Sequence, residues 1–148
     1  MKNQSNIYHG NVNKAVETES FKISITKHHP KSDIPLHAHS KSYMCLSVLG
    51  DYHEKSYAED TVCQGEVIYR NAGHEHANSF YAKEGVCLNI EFSNEVELMI
   101  QNDFKLPRKS SKLKSSIDFY KVLFGFKNSV SNDLLNIYCY ESMMSFFL

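Results

Sequence analysis

The chain has 148 residues, 42% hydrophobic and 22% charged, enough for one good core and hardly two. Its net charge of −1 gives no electrostatic reason for nucleic-acid binding by this segment alone. No run approaches the roughly 20 apolar residues of a membrane helix.

Residues 1–20 read as a polar segment without the apolar core of a signal peptide, which makes the cytoplasm the default location. From there to about residue 93, period-two patterning dominates. FKISITK at 21–27 sets Phe21, Ile23 and Ile25 on one face and Lys22 and Ser24 on the other. KHHPKSDIPLH at 27–37 contains two prolines and reads as a loop. Strands follow at YMCLSVL (43–49), DYHEKSY (51–57), DTVC (60–63), EVIYR (66–70), ANSFYA (77–82) and VCLNIEF (86–92). Short strands at near-regular spacing, bounded by Gly, Asn, Asp and Pro, read as a sandwich or barrel.

Beyond residue 93 the pattern turns helical. Asn94 with Glu97 forms a capping-box signature before VELMIQNDF, and Ser115 with Asp118 a weaker one before IDFYKVLFGF. Gly125 is expected to end that second helix early. Between the two, the basic run KLPRKSSKLK at 105–114 reads as a solvated linker rather than a phosphate site. Ser131 with Asp133 starts a third helix, whose Leu134, Leu135, Tyr138, Cys139 and Phe146 make a broad apolar face. The stretch MMSFFL at 143–148 calls for cover from the barrel, from a second chain, or from a longer protein. The four cysteines lack CxxC spacing, sit among apolar residues and read as buried reduced thiols.

The chemistry-bearing feature is a pair of His-x-His motifs, His37/His39 and His74/His76, on segments of strand character. Residues two apart on a strand share a face, so two such strands can bring three or four imidazoles into one pocket. The runs LHAHSKSYMCLSVLG (36–50) and GEVIYRNAGHEHANSF (65–80) resemble the two motifs of the cupin superfamily. His37, His39 and Gly50 fit the first motif, while Tyr43 stands in place of its Glu and Lys31 in place of its opening Gly. Gly65, Gly73 and His76 fit the second, with Asn71 for its Pro and Phe80 for its Asn. VLGDYHEK, GEVIYRNAGHEHANSF and GVCLNIEF, followed by helices, look like the N-terminal sensing domain of AraC-family transcription regulators, over about residues 21–148.

That resemblance implies a mainly β, cupin-like jelly-roll barrel over 21–93, then two or three helices over 94–148 that serve dimerisation. Leu134, Leu135, Tyr138 and Phe146 are the candidate dimer contacts. The helix-turn-helix part that would read DNA is absent, so DNA is a partner only through a downstream domain. The implied pocket, for a small-molecule effector, comprises His37, His39, Tyr43 and His76. Neutral imidazoles of His37, His39 and His76 are candidate ligands to a divalent metal; the alternative is a polar effector pocket without metal. Tyr43 can hydrogen-bond an effector but is a poor metal ligand or general base, and it also reads as an ordinary strand tyrosine. His74 is expected at the rim, and His28, His29 and His53 in surface or loop roles. Asn89 and Glu91 are expected to face solvent. No Ser-His-Asp, Cys-His or paired-carboxylate arrangement is visible, so no catalytic residue is assigned. Three functions compete: the sensing and dimerising module of an AraC-type regulator, a small metal-dependent cupin enzyme such as a dioxygenase or isomerase, and a stand-alone cupin binding protein.

Overall fold

In a computed structural model, residues 10–81, 83–104, 111–113 and 117–147 are described. Strands β1 (Asn11–Glu17), β2 (Phe21–His28), β3 (Ser32–His37), β4 (Tyr43–Leu49) and β5 (Tyr52–Lys55) come first. Then follow β6 (Glu59–Val62), β7 (Val67–Arg70), β8 (His76–Phe80), β9 (Gly85–Phe92) and helix α1 (Asn94–Asp103). The short β10 (Ser111–Leu113) precedes helices α2 (Ile117–Lys127) and α3 (Asn132–Phe147). One sheet has the order β1-β2-β9-β4-β7-β10 and the other β3-β8-β5-β6, with every pairing antiparallel.

The expected jelly-roll barrel takes the form of two antiparallel sheets that do not close on one another. Among the described residues no ladder joins one sheet to the other, so they meet only through side chains. The cupin-like, mainly β architecture with trailing helices stands. Alternation decides which core each side chain enters. Phe21, Ile23 and Ile25 of β2, Met44 and Leu46 of β4, Val67 and Tyr69 of β7, and Leu88, Ile90 and Phe92 of β9 face away from the second sheet. They pack on Val96 and Ile100 of α1, Phe119, Val122 and Phe126 of α2, and Leu135, Cys139 and Met143 of α3. The intervening residues, Tyr43, Cys45, Ile68 and Cys87, enter the smaller core between the sheets with Ile34, Tyr52, Val62 and Phe80.

Several local expectations are corrected. The polar N-terminal segment contains β1, an edge strand whose mostly exposed side chains carry no apolar period. The 27–37 loop contains β3, also an edge strand, where Pro35 costs the sheet no ladder donor. Part of the basic run forms β10, paired to β7. Helix α1 is capped by Ser93, whose hydroxyl accepts from the Val96 amide, rather than by Asn94. With Ser93 as the cap, Glu97 falls one residue past the capping-box position, and its carboxylate accepts from the Ser42 hydroxyl at 2.7 Å. Gly125 does not end α2. It is buried where a Cβ would press on the Tyr138 ring and on Val130, so its purpose is close helix packing. Ser131 caps α3 as expected, accepting from the Leu134 amide at 3.2 Å. Ser115 and Leu148 lie outside the described residues. No described helix is long and apolar enough to cross a membrane.

Candidate functional site

The site lies at one end of the space between the sheets. His37 comes from β3, His39 from the β3–β4 connection, Tyr43 from β4 and His76 from β8, and the fold brings all four together. His37 and His76 are register partners with ring centroids 4.3 Å apart. His39 lies 5.0 Å from His37 and 4.6 Å from Tyr43, ring to ring. One nitrogen from each of His37, His39 and His76 falls within 4.8 Å of the others.

Two of these rings are held by the backbone. His37 Nδ1 lies 2.8 Å from the Pro35 carbonyl, and His76 Nδ1 3.2 Å from that of His74. A carbonyl can only accept, so each Nδ1 carries the proton and each Nε2 offers a lone pair, the orientation that metal-ligating imidazoles usually have. The Tyr43 phenol lies 3.4 Å from His76 Nε2. Burial, with Arg70 and then His37 adding to it, pushes His76 far below the usual imidazole range, so the ring is neutral and able to ligate. The donor set therefore suits a divalent ion such as Zn2+, held by three imidazoles with a coordination position left over. Tyr43 does not replace the missing carboxylate, since burial raises its pKa and Arg70 Nη1 already donates to its oxygen at 2.9 Å.

Beneath the histidines lies a group that sequence reading overlooked. Arg70, 2% exposed, donates through Nε to Glu54 Oε1 at 2.9 Å and through Nη2 to both Glu54 and the Tyr52 phenol. Arg70 was legible only as the end of a strand and Glu54 as one polar residue in DYHEKSY. Register places both inward, with Tyr43 opposite Arg70 and Glu54 opposite Asn78. Cys45 and Cys87 also face this space from neighbouring strands. The Cys87 thiol, and after it Arg70, lowers the pKa of Cys45.

Other sequence expectations are redistributed. His28 is not a surface residue: it is buried, stacked on Phe80 at 4.3 Å, and lines the same space. Asn89 faces inward, donating to Thr26 at 3.2 Å, while Glu91 is partly exposed. His74 is buried beside His76 but outside the trio, and its Nε2 has no hydrogen-bond partner among the described residues. His29 and His53 lie toward the surface as expected. The free volume is about 30 Å³, the space of an ion or one or two waters. A sugar ring or aromatic acid does not fit there with the side chains as they stand.

The proposed dimer contacts separate. Leu135 is 2% exposed and lies in the chain's own core, so it is not presented to a partner. Tyr138 and Phe146 are partly buried against that core, and Leu134 is 36% exposed. The large apolar residues that do face outward from α2 and α3 are Ile117, Tyr120, Phe124, Leu134 and Ile137.

No protein-family model and no curated protein sequence matches the chain. Among solved structures, unsaturated-fatty-acid-bound ToxT from Vibrio cholerae is similar with a TM-score of 0.63 and 12% identity, over 89% of this chain and 56% of that one. A second ToxT structure from Vibrio cholerae gives 0.59 and 10%, over 87% and 56%. A cupin domain from Bordetella pertussis gives 0.48 and 18%, over 59% and 98%. This chain thus spans about half the length of ToxT, an AraC-family protein. At these identities the likeness is one of fold alone, shared with the part of ToxT that this chain covers.

Proposed function

We propose that this chain is the small-molecule-sensing and dimerising part of an AraC-type transcription regulator, with DNA reached only through a further domain. The observation that carries this reading is the extent of the likeness to ToxT. It covers 89% of the chain, so it includes the helices as well as the sheets. That ToxT structure holds an unsaturated fatty acid, which supports a ligand-binding role for the shared fold. The outward apolar residues of α2 and α3 support homodimerisation, because Ile117, Tyr120 and Phe124 follow helical spacing on α2 and Leu134 and Ile137 on α3, leaving apolar surface on both helices for a partner to cover.

Within this reading His37, His39 and His76 hold a divalent ion, and Tyr43 and Arg70 set the polarity beneath it. These three imidazoles would hold the ion, which when bound would supply a Lewis-acidic centre. The trio also favours a second reading, a metal-dependent enzyme, which needs an acid or base at the site. Tyr43 has its pKa raised by burial, and Glu54 is engaged by Arg70, so neither is placed to fill that role at neutral pH.

A thermal-shift screen with divalent metals and small metabolites, paired with sedimentation, tests the proposal. A ligand at 100 times its Kd adds about 2.7 kcal/mol of stability. A monomer at high micromolar concentration that no ligand stabilises would count against it, and turnover dependent on bound metal would favour the enzyme.

A further inference from the structure

A second cavity lies on the opposite face of the six-stranded sheet from the imidazoles. It is a groove of about 620 Å³, within the range of small-molecule sites. Its floor is Ile25, Val48 and Val86 from three adjacent strands, and one wall is Leu123 and Phe126 of α2. The register of β4 against β9 shifts between Ser47 and Leu49, which pairs Leu49 with Val86. The shift turns Leu49 as well as Val48 toward the groove and leaves Leu49 44% exposed. An apolar surface open to water is thus built into the strand.

Its polar lining has one sign. Lys14, Lys27 and Lys127 border the groove and no carboxylate lines it. Lys14 is engaged, donating to the Phe126 carbonyl at 2.8 Å and resting over the Phe126 ring. Lys27, register partner of Val86, and Lys127, in the last turn of α2, are exposed and form no ion pair among the described residues. An apolar floor with free ammonium groups at its edge complements an amphiphile that has a single hydrocarbon chain and an anionic head.

We propose that this groove binds the hydrocarbon chain of a single-chain carboxylate, with Lys27 and Lys127 holding the head group. The site stands apart from the imidazole cluster and does not depend on the regulator reading.

The test is calorimetric titration of the whole chain with laurate below its micelle concentration. Laurate is expected to bind one to one, and dodecyltrimethylammonium, of equal chain length and opposite charge, at least ten-fold more weakly. Each methylene removed is expected to weaken binding about three- to four-fold, so octanoate falls about a hundred-fold or more below laurate. Lys27→Glu with Lys127→Glu is expected to cut laurate affinity at least ten-fold, and Leu49→Glu to abolish binding. Lys55→Glu, a distant exposed site on β5, makes the same charge change per site and is expected to leave it intact. Four results would overturn the proposal: equal affinity for the cationic chain, no effect of the double lysine variant, binding to phosphatidylglycerol vesicles without binding to monomeric laurate, or loss of a dimer in Leu49→Glu.

Discussion

The Tyr43 phenol and the His76 imidazole approach to 3.4 Å from opposite sheets, β4 in one and β8 in the other. Because Arg70 also donates to that phenol, a polar chain runs from Glu54 through Arg70 and Tyr43 to the histidine cluster. The two layers are joined at this point by polar contacts as well as by apolar packing.

Breaking that chain from one side leaves a charge buried without its partner. Glu54→Gln is expected to lower the unfolding free energy by about 3–5 kcal/mol, read from urea midpoints. Glu54→Leu combined with Arg70→Met is expected to recover most of the loss. A wild-type midpoint in the single variant would show that the pair is not desolvated.

Acid is expected to destabilise the metal-free protein. Burial depresses the His76 pKa in the folded state, while the unfolded chain keeps the ordinary value near 6.5. Below about pH 6.5 the unfolded state takes up a proton that the folded state does not. Stability then falls by about 1.4 kcal/mol per pH unit for this residue. His74, also depressed by burial, acts in the same sense. Unfolding measured with EDTA between pH 7 and 5 checks this; an equal slope in His76→Gln would assign the effect elsewhere.

Bound metal is expected to be removable. Purified protein loaded with Zn2+ should hold about one ion per chain by elemental analysis. EDTA should strip it while leaving the strand signal in circular dichroism, since none of the three imidazoles belongs to either apolar core. His39→Ala should lose the ion and keep the fold. Collapse on chelation would mean that the site is structural.

Outward and inward positions on α2 and α3 separate assembly from folding. Ile137→Glu with Phe124→Glu is expected to yield a folded monomer by sedimentation, because both side chains face outward, 52% and 63% exposed. Leu135→Ala is expected to cost about 2–5 kcal/mol whatever the oligomeric state. A folded, stable Leu135→Glu would contradict the placement of that residue in the core.

Gly50 serves as a turn. Its φ of +79° and the Glu84 carbonyl 2.8 Å from where a Cβ would stand leave no room for a side chain. Gly50→Ala is expected to cost at least about 1 kcal/mol in thermal or urea unfolding.

How much of this could be read beforehand follows from where each signal sits. The central strands were legible because both of their faces contact something: YMCLSVL spans β4 to the residue. Edge strands β1 and β3 were not, since a strand paired on one side tolerates polar and proline residues that imitate a loop. The histidine trio was legible because His-x-His on a strand fixes a shared face. Arg70, Glu54 and His28 were invisible for the opposite reason. A charged residue in a strand is ordinarily solvated, and only the sheet opposite its own, placed by tertiary contacts, encloses each of these three. Leu135 was misassigned because helical periodicity gives the apolar face of α3 without saying what covers it.

Between Ile34 and His37 the ladder of β3 against β8 skips a step. Strict alternation from the buried Ile34 would send Leu36 inward and His37 outward, yet Leu36 is 61% exposed and His37 faces His76. One surplus residue on an edge strand thus decides whether the mouth of the sandwich is closed by a leucine or offered to a ligand by an imidazole. Regular pairing of these same residues would exchange the two, whereas loss of one residue between Ile34 and His37 would straighten the strand and leave His37 facing His76. Gain or loss of this site over evolutionary time needs no change of fold, only a frame of pairing moved by one.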